Sequence, residues 1–572
     1  MQLLICFLAA ALLAGETIQV SSVKGSALRN QEPLQVVVNL VEPGGLKAVL
    51  PSVWVDEWRG SKGPDDAVCA ARIRALQTPS PGIRQALKDL NVYYLVTINA
   101  AGLLQVIDPR TGFGGSRLVT ALDLQASPIA WFHDEASHRL LIALTGQQYL
   151  TAVDTTAWRI QKRWNAGSEI VSIFPDPSSR FFWTLLKGGT WVRFHLDTGA
   201  VSSVDLPGPG ALTFADNGAA MLSTKSSSWL IRETTTPKQL ARQSQQIIWS
   251  TAADAFVSLT ANGSIELWSD SGDVQAIIPL GSYPADSQLK VSEDGRFGLS
   301  WTPGRDNVRL IDLSRRRWRG ELLIPQPTEI FTAKDFVYVR SGTMAENLVV
   351  PMEAIRGSKQ VQGRKVSGGT APHTPSRFQS IASLPGAEIV FWTAPADDQI
   401  YAYHPGMNAA SGGLRTPSKP IGLLLAGPSL IERKPGEFMA EFTLSQPGQY
   451  IAVMSSQQPK RQACSVFEVE GDGPMGPTRF QVQLSSTSLR HGIEQVLQMK
   501  LQGSPRPSSV RMLVLAVDGQ WQNRYSLAVD ADGAITAPIT LPRTGQYWLT
   551  FDIPSEPLSH LRFPRLTLEA VN

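Results

Sequence analysis

The chain of 572 residues has few cysteines, the residues that form disulfide bonds. Three cysteines are too few for a disulfide-stapled fold. Cys69 and Cys464 would remain if an N-terminal signal peptide were cleaved. They could form a disulfide in an oxidising compartment, although cysteines so far apart in sequence are more often independent. The formal net charge is only +3, so there is no global electrostatic argument for binding nucleic acid or an anionic membrane.

Local signatures of the common enzyme classes are also missing. The sequence has no His-Glu-x-x-His zinc helix, no Gly-x-Ser-x-Gly elbow, no phosphate-binding Gly-Lys-Ser/Thr loop and no Cys-x-x-Cys pair. The absence of these motifs does not exclude a catalytic site assembled from loops that are distant in sequence. Binding therefore fits the sequence better than catalysis, and no enzyme class is assigned.

Long apolar runs are scarce, and the one at the start has the character of a targeting segment. Residues 3–14 are apolar, too short a stretch to span a bilayer but the right length for the core of a secretory signal. Ala14 and Gly15 supply small residues for cleavage, although no Lys or Arg precedes the run. The alternative is a buried first strand. We predict a signal peptide at residues 1–15, a periplasmic or secreted protein, and no transmembrane segment after signal removal.

A repeat of about 40 residues organises the middle of the chain. A loop aspartate follows a short β-rich run at near-constant spacing, at Asp134, Asp176, Asp216, Asp254, Asp294 and Asp335. Each unit contains four short β-rich stretches, for example residues 129–132, 139–144 and 149–154 followed by a fourth. Four strands in such a period are typical of a propeller blade, because blades packed radially cover each other's faces.

Two further segments, after the repeats, match each other. Residues 444–450 (LSQPGQY) and 541–547 (LPRTGQY) each lead into an alternating strand, which suggests two immunoglobulin-like sandwiches. The predicted fold is all-β: a seven- or eight-bladed β-propeller followed by two immunoglobulin-like β-sandwich modules. The predicted boundaries are a β-rich and helical flanking module at 32–90, the propeller at 91–410, and sandwich modules at 415–472 and 478–572.

Three stretches carry a family resemblance. Residues 89–99 followed by 106–109 resemble the opening of bacterial exported propellers of the YVTN-repeat type, also called cytochrome d1-like, and residues 403–408 and 464–468 are further matches. The resemblance implies the propeller fold over roughly residues 69–470. A similar fold in nitrite reductases holds haem d1 with histidines, but a shared fold transfers no chemistry. No Cys-x-x-Cys-His is present for a c-type haem.

The candidate cofactor-binding residues are the histidines at blade loops or strand ends, His133, His195 and His404. A hydrogen-bonded structural role is the alternative for each. Met407 beside His404 could offer soft ligands to copper, although two ligands are too few. The cofactor is left unknown.

Positive residues give the candidate partner-binding sites. One is the run Arg315, Arg316, Arg317, Trp318 and Arg319, which suits an anionic protein or glycan better than nucleic acid in an exported protein, or is a solvated blade turn. The other, with Arg364 and Lys365, lies in an acid-poor insertion at 354–377 predicted to be a mobile loop. The predicted function is an extracytoplasmic binding or scaffold protein, an accessory subunit of a larger periplasmic or surface assembly with a protein partner and no nucleic acid. The alternative is a redox- or metal-dependent propeller protein with haem d1-like or copper chemistry.

Overall fold

The structure is a computed structural model. It describes residues 17–572 except 24–26, 30–33, 41–50, 59, 61–62, 78–86, 110–116, 136, 157, 179, 197, 233–234, 261, 282–283, 285, 358–360, 385–388, 408, 417–418, 428–429, 443, 445–446, 458, 472–479, 505, 518–520 and 554–565. The predicted signal peptide at 1–15 lies outside the described residues. Neither described helix has the length and apolar character needed to cross a bilayer.

Short strands make up most of the described chain. The helices are α1 (Asp66–Gln77) and α2 (Met352–Gly357). The first strands are β1 (Thr17–Ser22), β2 (Leu34–Asn39), β3 (Ser52–Glu57) and β4 (Lys88–Asp89). They are followed by β5 (Tyr94–Asn99), β6 (Leu103–Asp108), β7 (Arg117–Asp123), β8 (Pro128–Asp134), β9 (Arg139–Leu144), β10 (Tyr149–Asp154), β11 (Arg159–Asn165), β12 (Ile170–Pro175), β13 (Phe181–Leu186), β14 (Trp191–His195), β15 (Val201–Val204), β16 (Gly210–Phe214), β17 (Ala220–Thr224), β18 (Ser228–Arg232), β19 (Thr235–Gln239), β20 (Ser244–Ser250), β21 (Ala255–Thr260), β22 (Ser264–Trp268), β23 (Val274–Pro279) and β24 (Gln288–Val291). The next are β25 (Phe297–Trp301), β26 (Asn307–Asp312), β27 (Arg317–Leu323), β28 (Pro327–Thr332), β29 (Phe336–Ser341), β30 (Glu346–Pro351), β31 (Arg364–Ser367), β32 (Ile381–Leu384), β33 (Ile389–Ala394), β34 (Gln399–Tyr403), β35 (Ser411–Arg415) and β36 (Pro420–Ala426). The last are β37 (Ile431–Lys434), β38 (Glu437–Phe442), β39 (Gly448–Gln457), β40 (Lys460–Val469), β41 (Gln481–Leu484), β42 (Ser488–Arg490), β43 (Glu494–Gln502), β44 (Ser509–Ala516), β45 (Gln522–Ala528), β46 (Ala534–Thr540), β47 (Gly545–Asp552) and β48 (Leu566–Val571).

The first compact unit joins chain segments that are far apart in sequence: the described residues before Tyr94 and those within 427–479. Its two sheets have the strand orders β1-β2-β38-β37 and β4-β3-β39-β40, and side chains from both sheets form one hydrophobic cluster. Helix α1 packs on the second sheet, where Cys69 forms a disulfide with Cys464 of β40. The segments predicted as separate modules at 32–90 and 415–472 therefore share one sandwich, because their strands pair across the two sheets.

The second unit contains a ring of sheets within Tyr94–Ala426. The described residues form eight four-stranded antiparallel sheets, seven of them from four consecutive strands, starting with β8–β11 and ending with β32–β35. Each sheet shares a hydrophobic cluster with the next, and the last shares one with the first. Sheets that cover one another around a closed ring form a β-propeller. The prediction of an all-β chain built from four-stranded sheets is confirmed.

The recurring aspartates mark the same place in successive sheets. All six lie at the connection between the first and second strands, from Asp134 at the end of β8 to Asp335 just before β29. Side-chain oxygens of two of them accept backbone N–H groups two residues later, Asp176 from Ser178 at 2.9 Å and Asp294 from Arg296 at 3.1 Å. Such Asx turns are local, so the same residue recurs wherever the turn recurs.

The remaining sheet closes the ring with a strand from the far end of the propeller. Its order is β36-β5-β6-β7, and the Thr97 hydroxyl donates to the Gly422 carbonyl at 2.9 Å across 325 residues of sequence. Strands β35 and β36 thus belong to the propeller sheets and extend it past the predicted boundary at 410. Because β36 and β5 are so far apart in sequence, no local sequence pattern predicts that they pair.

A second sandwich follows the propeller and belongs to the same compact unit. Its sheets have the orders β41-β43-β46 and β42-β48-β47-β44-β45, with one shared core. Strand β44 is buried on both faces: Met512 and Val514 enter that core, while Leu513 and Leu515 join the cluster between the β32–β35 sheet and the β36-β5-β6-β7 sheet. The sandwich is therefore packed directly on the propeller.

The insertion at 354–377 contains a helix and a strand, so the prediction of a loop is wrong for residues 354–357 and 364–367. Its first part belongs to α2, and residues 364–367 form β31, the fourth strand of its sheet. The Arg356 guanidinium bonds the Asp294 carboxylate at 2.8 Å, and Arg319 Nε donates to the Ile355 carbonyl at 3.1 Å. These contacts fix the helix against the neighbouring sheet.

Candidate functional site

A cavity of about 750 Å³ lies beside the first strands of three sheets, β8, β12 and β36. First strands line the centre of a propeller ring, so the cavity is at the axial channel. Its wall is completed by residues 377–379, which precede β32. The lining includes Trp131, His133, Ile173, Arg377, Phe378 and Leu424.

The segment from Thr370 to Ser380, here called the strap, leads from β31 to the cavity. It bonds the inner edge of β36 at two points: the Ser376 hydroxyl donates to the Ile421 carbonyl at 2.9 Å, and Leu423 N donates to the Gln379 carbonyl at 2.8 Å. These bonds hold the strap alongside the strand that closes the ring.

Gly422 lies under the strap, between those two attachment points. The Phe378 ring meets the Trp131 ring edge to face, with centroids 5.6 Å apart. A Cβ on Gly422 would stand 2.8 Å from Phe378 Cβ and 3.0 Å from Trp131 Cζ2. The contact between strap and ring wall therefore depends on a residue without a side chain.

A buried group of polar side chains also anchors the strap, at His373 and at Ser380. His373 Nε2 lies 3.2 Å from Glu329 of β28, which also accepts the Ser380 N–H at 2.7 Å and the Ser380 hydroxyl. Arg340 of β29 donates to the Ser380 hydroxyl at 2.7 Å. Charged groups this deeply buried are held only when they are paired and hydrogen-bonded, so the cluster fixes the strap in place.

The electrostatics of this cluster favour a charged Glu329–Arg340 pair. Burial opposes ionisation of Glu329, but hydrogen bonds from His373 and Ser380 and the charge of Arg340 outweigh it and lower the Glu329 pKa. Burial lowers the pKa of Arg340 to about 10 against the opposing pull of Glu329. Burial also lowers the His373 pKa, against the hydrogen bond and the charge of Glu329, which raise it.

Two ionisable groups face the cavity. Burial, with a smaller contribution from the nearby His138, lowers the pKa of His133 to about 4, so its imidazole is neutral near pH 7. Arg377 is exposed, and no hydrogen bond or ion pair holds its guanidinium in the part of the chain that the structure describes. Within the same described part, the cavity wall has no acidic side chain. The cavity thus carries one positive charge.

The three predicted cofactor histidines do not come together. His133 is on the first strand of its sheet and lines the cavity, whereas His195 ends a third strand, β14, and packs against Phe181. His404 follows β34 in another sheet, with its Nδ1 accepting the Gly406 N–H at 3.1 Å. The three histidines thus do not fit a shared haem site, and no step through a haem is derived.

His404 and Met407, the two residues predicted to bind copper, lie in an exposed turn. Met407 N donates to the His404 carbonyl at 2.8 Å, and both side chains are exposed. No group of three or more His, Cys, Asp or Glu suited to a metal occurs among the described residues. The pair therefore remains a prediction from sequence.

The arginine run is divided by the turn between β26 and β27. Arg315 pairs with Asp312 at 3.9 Å, Arg316 donates to Gln275 Oε1 of β23 at 2.9 Å, and Arg319 caps α2 as described above. Arg317 and Trp318 lie on β27 with exposed side chains. Arg315, Arg316, Arg317 and Trp318 are all exposed, and Arg319 alone of the run is half-buried.

The other two predicted partner residues lie on β31. Arg364 donates to the hydroxyl of Tyr403 and stands 5.8 Å from the centroid of that ring. Lys365 Nζ lies 3.8 Å from the sulfur of Met344. Arg364 therefore ties β31 to the next sheet while remaining partly available at the surface.

The residues that complete the cavity have little signal in the sequence. Phe378 is one aromatic residue in a Pro- and Ser-containing segment, and its role depends on a strand forty residues later. Arg377 is the last positive residue of the acid-free insertion, and that composition is the one local feature that points to it.

No family model matches the chain, and no curated protein matches it. Solved structures that resemble it include the dihydro-heme d1 dehydrogenase NirN, at 15% identity with a TM-score of 0.47, covering 58% of this chain and 75% of NirN. AztD from Citrobacter koseri is similar at 11% identity and a TM-score of 0.46, covering 59% of this chain and 98% of AztD. A protein of unknown function from Desulfotomaculum acetoxidans aligns at 9% identity with a TM-score of 0.42 over 59% of this chain and 99% of its own.

Proposed function

We propose that this chain is an extracytoplasmic scaffold protein with an eight-bladed propeller and immunoglobulin-like sandwiches, which binds a protein partner as an accessory subunit of a larger periplasmic or surface assembly. The observation that carries the proposal is an exposed apolar surface on the outer strands β23 and β27. This β23–β27 surface consists of Val274, Ile277, Arg317, Trp318 and Leu323.

The surface has the composition of a protein-binding site. Leu323 is 81% exposed and Trp318 41%, and Val274 and Ile277 lie on the neighbouring edge strand. Large apolar side chains grouped at the surface favour interaction sites, and Trp and Arg are enriched where binding energy concentrates. Both strands are also at sheet edges, which can pair with an added strand.

The surface is held in a defined shape. The Arg316 guanidinium bonds Gln275 Oε1 and so connects the turn before β27 to β23. Arg317 adds a positive charge next to Trp318. An extended segment with acidic and apolar residues is the partner chemistry that matches it.

The extracytoplasmic location is supported by two independent features. Residues 3–14 have the length and apolar character of a secretory signal core. Cys69 and Cys464 form a disulfide, a bond that persists in oxidising compartments. The location remains part of the proposal.

The test is affinity purification of the full chain from the periplasmic fraction, comparing wild type with Leu323→Asp. A partner should co-purify with wild type and be lost from the variant, because a buried charge at the centre of an interface is costly. Val496→Asp is the matched control, since Val496 is 59% exposed on β43 in the second sandwich. A wild-type protein that is monomeric and without partner, or equal recovery from both variants, contradicts the proposal.

The alternative redox- or metal-dependent function has weaker support in the geometry, because only His133 of its three histidines lines the cavity. A visible absorption spectrum and elemental analysis of the protein as isolated distinguish the two functions. A coloured or metal-containing preparation would favour the alternative.

A further inference from the structure

The cavity at the propeller channel is a separate feature from the β23–β27 surface, and its chemistry is specific. Its volume of about 750 Å³ lies within the range of small-molecule sites. A cavity of this volume can hold a small molecule.

The wall defines the body of the ligand. Trp131 and Phe378 present aromatic rings, and Ile173 and Leu424 complete an apolar lining. Flat aromatic groups pack against such rings in offset or edge-to-face geometry. The strap is fixed by the Glu329 cluster and by its bonds to β36, so this wall exists before any ligand arrives.

The charge defines the polar end. Arg377 brings a guanidinium with no partner among the described residues, and the described lining has no carboxylate to neutralise it. His133 stands in the same wall and can exchange a hydrogen bond with an acid group. A planar guanidinium binds carboxylate or sulfonate oxygens with charge-assisted hydrogen bonds.

We infer that this cavity binds a small aromatic molecule with one carboxylate or sulfonate, the acid group on Arg377 and the ring against Trp131 and Phe378. This site goes beyond the proposed function, because it needs no protein partner.

The test compares two dyes that differ by the acid group. The anionic probe is 1-anilinonaphthalene-8-sulfonate, and the neutral probe is N-phenyl-1-naphthylamine. The full-length protein should bind one anionic dye with an affinity about tenfold higher than that for the neutral dye, since a charge-assisted hydrogen bond contributes about that factor. Fluorescence titration gives both dissociation constants.

Substitutions separate the two parts of the site. Arg377→Ala and Arg377→Glu should abolish the preference for the sulfonate, while Trp131→Ala should weaken both dyes. Arg377 is exposed, so its variants should keep the wild-type melting temperature and show that the protein is folded. Arg317→Ala, an exposed arginine on β27, is the matched control and should leave both affinities unchanged.

The inference is overturned if neither dye binds, if both bind equally to wild type, or if Arg377→Glu retains the sulfonate preference. The outcome is independent of the partner experiment. Leu323→Asp should bind both dyes as wild type does, whatever it does to co-purification.

Discussion

Two segments that share four of seven residues lead into strands in the two sandwiches. Residues 444–450 lead into β39 and residues 541–547 into β47. In both, the leucine is buried, the glycine has a positive φ (145° and 136°) and the tyrosine is buried. The two strand entries therefore share these three features at the leucine, the glycine and the tyrosine.

The neighbours of the two strands differ. Strand β39 lies between β40 and β3, which comes from the beginning of the chain, whereas β47 lies between β44 and β48 of its own module. Tyr450 stacks on Phe467 with centroids 5.9 Å apart. Tyr547 meets Trp521 edge to face, with centroids 5.7 Å apart, and donates its hydroxyl to the Arg543 carbonyl at 2.9 Å. A shared motif thus specifies how a strand begins but not which strands it joins.

The largest expected effect breaks the covalent link of the first sandwich. Replacing Cys69 and Cys464 by serine should lower its free energy of unfolding by about 4 kcal/mol, because the disulfide closes a long loop. Hydrogen exchange followed by mass spectrometry should show faster exchange in β39 and unchanged exchange in β47. An equal increase in the exchange rates of β39 and β47 would contradict the prediction that the disulfide stabilises the first sandwich and not the second.

The second sandwich should depend instead on its apolar contact with the propeller. Leu513→Ala should cost about 3 kcal/mol, because the side chain is buried between β44 and the propeller sheets. Leu323→Ala is the control: Leu323 is exposed, so its loss should change stability by less than about 0.5 kcal/mol. Chemical denaturation measures both, and similar values for the two variants would be inconsistent with the packed junction.

A buried carboxyl gives this junction a pH dependence. Burial raises the pKa of Asp552 to about 6, although Arg163 and Arg511 partly offset it, from a usual value of 3.8. The folded state therefore holds a proton that the unfolded state releases, and the Asp552 contribution to stability is lost as the pH rises from about 4 to about 6.

Asp552→Asn should remove that dependence. Above pH 6 the variant should be more stable than wild type by about 3 kcal/mol, because the ionised carboxylate no longer has to be buried. Thermal unfolding at pH 4.5 and pH 8 measures the effect. A variant that is less stable at pH 8 would show that the ionised group is needed for its arginine contacts.

The smallest effect concerns the tyrosine that the two motifs share. Tyr547→Phe should cost about 1 kcal/mol, the net contribution of one hydrogen bond, with the ring packing retained. Urea unfolding measures the change. A loss of several kcal/mol would mean that the hydroxyl has a larger structural role than its bond to Arg543.

The sequence predicts the propeller sheets because their turns are local. Asp176 and Asp294 each bond a backbone N–H two residues away, so the turn residue recurs with the sheet and is visible in a single sequence. The pairing of β36 with β5, and of β2 with β38, leaves no such periodic trace. Partners so far apart in sequence are chosen by packing in three dimensions.

The same distinction applies to the candidate site. His133 was predicted as a site residue from its place at a strand end, and it does line the cavity. Arg377 and Phe378 acquire their role only because the strap is attached to β36 and meets Trp131 of β8. Their positions follow from ring closure, which sequence reasoning on one segment at a time does not reach.

Ring closure by β36 also constrains the order in which the molecule can be assembled during synthesis. Strands β5 to β7 leave the ribosome about 300 residues before the strand that completes their sheet, and β1 to β3 wait still longer for β38 and β39. Until then their hydrogen-bonding edges are open to wrong partners. A nascent chain of this topology gains from a factor that shields its leading strands, whereas the last sandwich can form from residues that emerge together.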